Sequence, residues 1–155
     1  MKRRLLAILP LATGLLLSTP GCSKKDDPKP TANIGSYVSD GQRVSCTATA
    51  DLFNNGTSDY LTLELTTTPQ PPAGREQLRL LYSKSPSDPA SAYELLQMQQ
   101  LTNGTISTLY NAGAYTLTPN SDGSFSGTFS SGRKFPNPGI TAPTLTSGVF
   151  TNVRP

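Results

Sequence analysis

Short runs of alternating apolar and polar residues recur along the chain after residue 33. The clearest is residues 60–66, in which Leu61, Leu63 and Leu65 share one face and polar or aromatic residues occupy the other. Residues 44–52 and 78–82 repeat the pattern. Because side chains alternate between the two faces of a strand, this period of two predicts strands with one face buried.

Turn-forming residues separate these runs. Asp40 with Gly41 predicts a hairpin between residues 37–38 and the run at 44–52. Further turns are predicted at residues 54–56, 103–104 and 119–123, and residues 133–143 read as a Pro/Gly loop. Further strands are predicted at residues 105–110, 114–118, 124–130 and 145–153. We therefore expect an all-β domain of about eight strands, folded as a single antiparallel β-sandwich or β-barrel.

Residues 89–101 fit two structures. Asp88 followed by Pro89 is a sound start for a short helix. The same residues from Tyr93 onward would form a strand, paired back on residues 78–82 and forward across Asn103 and Gly104. We favour the strand because both flanks offer hairpin partners.

The N-terminal residues have the organisation of a secretory signal. Three basic residues precede an apolar stretch at residues 5–17, and small residues lead to Cys22. About 20 apolar residues are needed to span a bilayer, so this stretch is too short for a membrane helix. The Gly-Cys junction resembles the lipobox of bacterial lipoproteins, in which the cysteine is acylated. That resemblance implies a signal peptide at residues 1–21 and a lipidated Cys22, whereas the alternative is an ordinary secreted protein.

A charged, proline-containing stretch follows the cysteine. Residues 22–32 contain too little apolar surface to pack, so they are predicted to form a flexible tether to a single domain at residues 33–155. Lys25, Asp26 and Asp27 resemble the export signal that directs Bacteroidota lipoproteins to the outer leaflet of the outer membrane. The resemblance implies a surface-exposed, outer-membrane lipoprotein; a periplasm-facing position is the alternative.

Residues 113–117, 123–129 and 145–153 also resemble the closing strands of small β-rich lipoproteins of Bacteroidota that have no assigned activity. Aromatic residues alternate there with small or hydroxylated ones, and glycines mark bends. This family supplies no functional residue that can be transferred.

Charge excludes one class of partner. The formal net charge is +3, and the three basic residues of the leader, Lys2, Arg3 and Arg4, account for all of it. A nucleic-acid-binding surface needs an excess of Lys and Arg, so we expect no nucleic-acid partner.

Few residues suggest catalysis. The chain has no histidine, which excludes catalytic triads and His-containing zinc sites. Ser131 and Lys134 have the Ser-x-x-Lys spacing of penicillin-recognising enzymes without the companion motifs, so we interpret them as loop residues. Residues 51–59 are rich in oxygen ligands but lack the acidic spacing of a calcium loop, which favours turn formation. We predict no catalytic or metal site and no cofactor.

Three groups of side chains are candidates for other roles. Cys46 has the period-two position of a small buried hydrophobic residue. Tyr60 is the best surface candidate among the tyrosines because it lies opposite the leucine face, but a sandwich edge or a second core face would explain its position equally well, so the sequence assigns no sugar site. The carboxylates that a glycoside hydrolase would need are Asp51, Asp59, Glu64, Glu76 and Glu94.

These observations favour a non-enzymatic binding or accessory module of the cell envelope. Its expected partners are the lipid bilayer, through acylated Cys22, and an envelope protein or extracellular polymer. The alternatives are a carboxylate-dependent hydrolase that acts on an exterior glycan, and a lipocalin-like carrier, which would need an internal cavity.

Overall fold

The protein is a closed, eight-stranded antiparallel β-barrel. A computed structural model describes residues 33–72 and 74–155. The predicted signal peptide, Cys22, the tether and the export signal at Lys25, Asp26 and Asp27 lie outside the described residues. The strands are β1 (Ile34–Ser39), β2 (Gln42–Asn54), β3 (Asp59–Thr67), β4 (Glu76–Lys84), β5 (Glu94–Thr102), β6 (Thr105–Pro119), β7 (Phe125–Pro136) and β8 (Leu145–Val153).

Each strand pairs with its sequence neighbour, and β8 closes the barrel by pairing with β1. This closure decides between the two predicted architectures in favour of the barrel. The ambiguous segment is strand β5, as favoured, and it pairs with both β4 and β6. The helical segment of the described residues is one 3₁₀ turn, Ala90–Ala92. Among those residues, no helix has the length and apolar character of a membrane span.

Alternating side chains fill the barrel interior. The predicted leucine face of β3 is fully buried, and the inward residues of β4 continue it across the sheet. The buried core comprises Tyr37, Cys46, Ala48, Leu61, Leu63, Leu65, Leu78, Leu80, Tyr82, Tyr93, Leu95, Met98, Tyr110, Phe125, Phe129, Leu145, Phe150 and Val153. Eight strands enclose a space that side chains can fill completely, and here large apolar and aromatic residues occupy it.

Two strand boundaries and the exposure of one side chain differ from the sequence predictions. Residues 105–110 and 114–118 belong to the single strand β6, which stays continuous through register shifts near Ala112. Strand β7 continues to Pro136, so the predicted loop at residues 133–143 begins later. Leu52 has the inward parity of its strand but is 49% exposed, because the end of the β2–β3 hairpin projects beyond the core.

The ladder between β5 and β6 covers part of their length. It joins residues 98–102 to residues 105–110, whereas the ladder of β6 with β7 runs from residue 108 to residue 119, so the second part of β6, residues 111–119, pairs with β7 alone. Tyr115 lies in that second part, 36% exposed, and its ring meets the buried ring of Tyr82 edge-on at 6.2 Å.

The up-and-down strand order sorts the connections onto two ends. The terminal end carries Asn33, Arg154 and the connections at residues 55–58, 85–93 and 120–124. The far end carries those at residues 40–41, 68–75, 103–104 and 137–144. The residue that precedes β1 contacts the residue that follows β8 at the terminal end: the Arg154 backbone N–H donates to Asn33 Oδ1 at 3.1 Å.

Candidate binding face on the outer wall of the barrel

Two aromatic rings stack against each other at the end of the β2–β3 hairpin. Phe53 and Tyr60 are direct ladder partners, so their side chains emerge on the same face. Their ring centroids are 6.3 Å apart and their planes differ by 29°. Phe53 is 61% exposed, the most of any large apolar residue that the structure records as exposed. We call these two residues the aromatic pair.

A tight turn holds the aromatic pair in register. Asn54 Oδ1 accepts from the Gly56 N–H at 2.7 Å, and Asn55 Oδ1 accepts from the Thr57 and Ser58 N–H groups at 3.0 and 2.8 Å. Gly56 has a φ of +87°, which suits glycine. These side-chain oxygens therefore act as turn formers, as predicted for residues 51–59. No group of three or more metal-ligating side chains occurs among the described residues.

An ion pair supports the base of the hairpin. Lys84 Nζ lies 2.5 Å from Asp59 Oδ2 and 5.4 Å from the centre of the Tyr93 ring. The Asn54 side-chain amide also donates to the Asp59 carboxylate. Hydrogen bonds from Lys84 and then Asn54 lower the pKa of Asp59. The Asp59 carboxylate therefore stays ionised and ties β3 to β4.

A polar groove continues from the aromatic pair along the outer wall. Its volume is about 340 Å³, and it is lined by Asp51, Thr62, Glu64, Arg79, Leu81 and Gln99. The ladder registers place these residues on the rows next to Phe53 and Tyr60 on the same face of strands β2 to β5. The aromatic pair and this polar groove together form what we call the β2–β5 face.

The groove has a fixed hydrogen-bond network at its centre. Arg79 donates to Glu64 Oε1 from Nε at 2.9 Å and from Nη2 at 2.6 Å. Gln77 donates to Glu64 Oε2 at 3.2 Å, and Arg79 Nη1 donates to Gln99 Oε1 at 3.4 Å. Both ions are partly exposed, so the network contributes more to orientation than to stability.

Comparison with known proteins does not add to this geometry. The chain matches no protein-family model, no curated protein and no solved structure. The interpretation of the β2–β5 face therefore depends on its own chemistry.

The structure separates most of the candidate carboxylates. Asp51 and Glu64 line the same groove, but Arg79 neutralises Glu64. Asp59 belongs to the ion pair at the hairpin, Glu94 lines a neighbouring groove with Lys84 and Asp88, and Glu76 begins β4 at the far end. A glycosidase acid requires a raised carboxyl pKa, whereas the pKa of Asp59 is lowered.

Ser131 and Lys134 lie in strand β7, so their interpretation as loop residues was wrong. Ser131 Oγ accepts from the Leu145 N–H at 3.0 Å, while Lys134 Nζ donates to the Ala142 carbonyl and Thr144 Oγ1, each at 2.9 Å. Both side chains tie β7 to the segment that leads into β8. The hydrogen bonds of Ser131 and Lys134 are therefore those of structural residues and not those of a nucleophile paired with its base.

The remaining candidates are Cys46 and the tyrosines. Cys46 is a buried free thiol, as predicted, and burial raises its pKa to about 11. Among the tyrosines, four are buried: Tyr37, Tyr82, Tyr93 and Tyr110. Tyr60 is partly exposed on the outer wall, as its alternation predicted.

Sequence reasoning missed Phe53, Arg79 and Gln99. Phe53 falls within residues 51–59, for which the sequence predicts a turn. In the structure it belongs to β2, where the alternation of side chains points it outward and the register places it opposite Tyr60. That register was the signal that would have found it. Arg79 and Gln99 join the face only through the pairing of β3, β4 and β5.

Proposed function

We propose that this chain is a lipid-anchored envelope protein whose barrel acts as a non-enzymatic binding module. The observation that carries the proposal is the contrast between interior and exterior. The interior is filled with packed side chains, whereas the outer wall has exposed aromatic rings beside a groove of fixed polar groups. Large apolar and aromatic side chains of the described residues occupy the interior, which favours binding on the wall over the lipocalin-like alternative.

The proposed anchor is acylated Cys22. An amide-linked acyl chain together with a diacylglycerol would hold the chain stably in a bilayer, since one chain alone gives marginal binding. The predicted tether precedes Asn33, which lies at the terminal end of the barrel. Ten residues in extended, polyproline-like conformation span about 30 Å, so the module would stand clear of the membrane surface.

The proposed location is the outer leaflet of the outer membrane. The motif of Lys25, Asp26 and Asp27 supports export to the cell surface, where the partner would be an extracellular polymer or an envelope protein. A periplasm-facing position is the competing location and would restrict the partners to envelope components.

The test combines acyl labelling with protease treatment of intact cells. We expect the wild-type chain to incorporate an alkyne-tagged fatty acid and to sediment with membranes, and Cys22→Ala to do neither. Cys46→Ala is the matched control, because Cys46 is the second of the two cysteines and is buried. Label in Cys22→Ala would overturn the anchor. Protection of the wild-type domain until the outer membrane is opened would overturn surface display.

A further inference from the structure

We propose that the β2–β5 face binds an uncharged oligosaccharide chain, with one sugar stacked on the exposed ring of Phe53, which Tyr60 supports, and the next sugars hydrogen-bonded in the polar groove. This inference rests on the proposed function, because it names the ligand of the binding module. No cofactor or metal is needed for it.

The aromatic pair supplies the stacking surface. Isolated exposed apolar residues are ordinary, but here two rings lie within 29° of parallel and border a groove of about 220 Å³ that also contains Leu52, Asn54, Asp59 and Tyr93. A pyranose presents C–H groups on one face and hydroxyls around its edge. Such a ring would cover the exposed surface of Phe53, while hydroxyls at its edge reach Asp51 and Thr62 in the next row on the same face.

The polar groove continues the site in the direction of the strands. Successive rows on one face of a strand lie roughly 6.6 Å apart, so the row of Phe53 and Tyr60 is roughly 13 Å from the row of Glu64 and Arg79. Asp51 and Thr62 occupy the row between them. This length fits a chain of roughly two or three sugars, estimated from the same strand rise.

The groups in the groove suit hydroxyls. Carboxylate, guanidinium and amide groups provide donors and acceptors side by side, and a sugar hydroxyl can use both. Arg79 is already held by Glu64 and Gln99, so little side-chain freedom is lost when a ligand binds.

Charge selects among carbohydrates. Glu64 and Arg79 neutralise each other, which leaves the Asp51 carboxylate as the unbalanced charge among the residues that line the groove. An anionic saccharide would be repelled by that carboxylate. The ligand class is therefore a neutral glycan rather than a uronic acid or a phosphorylated or sulfated chain.

The test measures binding of defined glycans to the full mature chain in a detergent without a sugar headgroup. An array with neutral and anionic arms identifies ligands, and calorimetry with the best neutral oligosaccharide gives the Kd. We expect Phe53→Ala and Tyr60→Ala each to raise the Kd at least tenfold, which corresponds to about 1.4 kcal/mol. Phe53→Tyr, which keeps a ring, should bind within about threefold of wild type, a change of less than 1 kcal/mol.

Phe135→Ala is the matched control. Phe135 is also an exposed aromatic residue on a strand, 42% exposed, and packs under Arg133 at 5.0 Å, away from the β2–β5 face. Its removal should leave the Kd unchanged. Circular dichroism and the melting temperature verify that each variant folds.

Three outcomes would overturn the proposal: binding confined to anionic glycans, equal losses in Phe53→Ala and Phe135→Ala, or no binding to any neutral glycan. Each leaves acyl labelling at Cys22 and surface display intact if the anchored-module proposal holds. Absence of the acyl label from the wild-type chain, with glycan binding retained, would overturn the lipid anchor and leave the glycan site standing.

Discussion

Two buried tyrosines differ in whether their hydroxyl group has a partner. Tyr110 donates from its hydroxyl to Gln100 Oε1 at 2.9 Å. The Tyr82 hydroxyl is buried and has no hydrogen-bond partner among the described residues. Both side chains are at most 1% exposed, so neither hydroxyl is solvated by bulk water. An unsatisfied buried hydroxyl costs about 1–3 kcal/mol of stability.

The perturbation is to remove each hydroxyl in turn. Tyr82→Phe relieves the desolvation cost and keeps the edge-on contact with Tyr115. The void left by one oxygen offsets part of the gain, so we expect the free energy of unfolding to rise by about 1 kcal/mol. Tyr110→Phe removes a hydrogen bond and leaves the Gln100 oxygen without it, so we expect a fall of about 1–2 kcal/mol.

Urea denaturation of the two variants and wild type measures both changes. The m-value should be the same for wild type and both variants, and the urea midpoints of the two variants should move in opposite directions from that of wild type. Thermal unfolding should separate the two variants by roughly 8–12 °C, from about 4 °C per kcal/mol for a domain of this size. Tyr60→Phe serves as the exposed control and should change stability by less than about 0.5 kcal/mol. A loss of more than 1 kcal/mol in Tyr82→Phe would refute the reasoning, because the hydroxyl would then have a partner.

Three further predictions concern pH and packing. Hydrogen bonds from Ser124 and then Arg154 lower the pKa of Asp122 to about 2, below the value of about 3.9 expected in the unfolded chain. Stability should therefore fall as the pH drops from about 4 to 2, and Asp122→Asn should flatten that part of a denaturation–pH profile; an unchanged profile would contradict it. Burial raises the pKa of Cys46 to about 11, so stability is complete below the unfolded thiol pKa of about 8.5 and is lost as the pH rises to 11. Cys46→Ala should lessen that alkaline loss of stability in urea titrations. A loss equal to that of wild type would contradict the role of Cys46 and assign the alkaline loss to the buried tyrosines. A Cβ at Gly148 would overlap the buried Phe129 ring, so Gly148→Ala should cost about 1–3 kcal/mol, whereas Gly148→Ala with wild-type stability would show that the ring moves freely.

The sequence predicted the parts of the fold that depend on local periodicity. Leu61, Leu63 and Leu65 alternate with polar residues, and all three are fully buried. The distinction between sandwich and barrel lay beyond it, because closure depends on the pairing of β1 with β8, which are more than 100 residues apart. The continuity of β6 through Ala112 was also hidden, since register shifts interrupt the alternation there.

The site was predictable to a smaller extent. Tyr60 was identified because its position opposite a buried face is a local property. Arg79, by contrast, reaches Glu64 across a ladder that joins residues 15 positions apart. Composition does not encode that pairing, and the face exists only once the strands are in register.

The contact between Asn33 and Arg154 makes the barrel almost a closed circle of chain. Joining these positions with a short linker and opening the connection at residues 137–144 would give a circular permutant with the same ladders. In that permutant the new ends lie at the far end of the barrel, so the tether proposed for residues 22–32, attached there, would hold the barrel in the opposite orientation. The direction in which the β2–β5 face points from the chain ends is thus a property that can be inverted without altering any of its side chains.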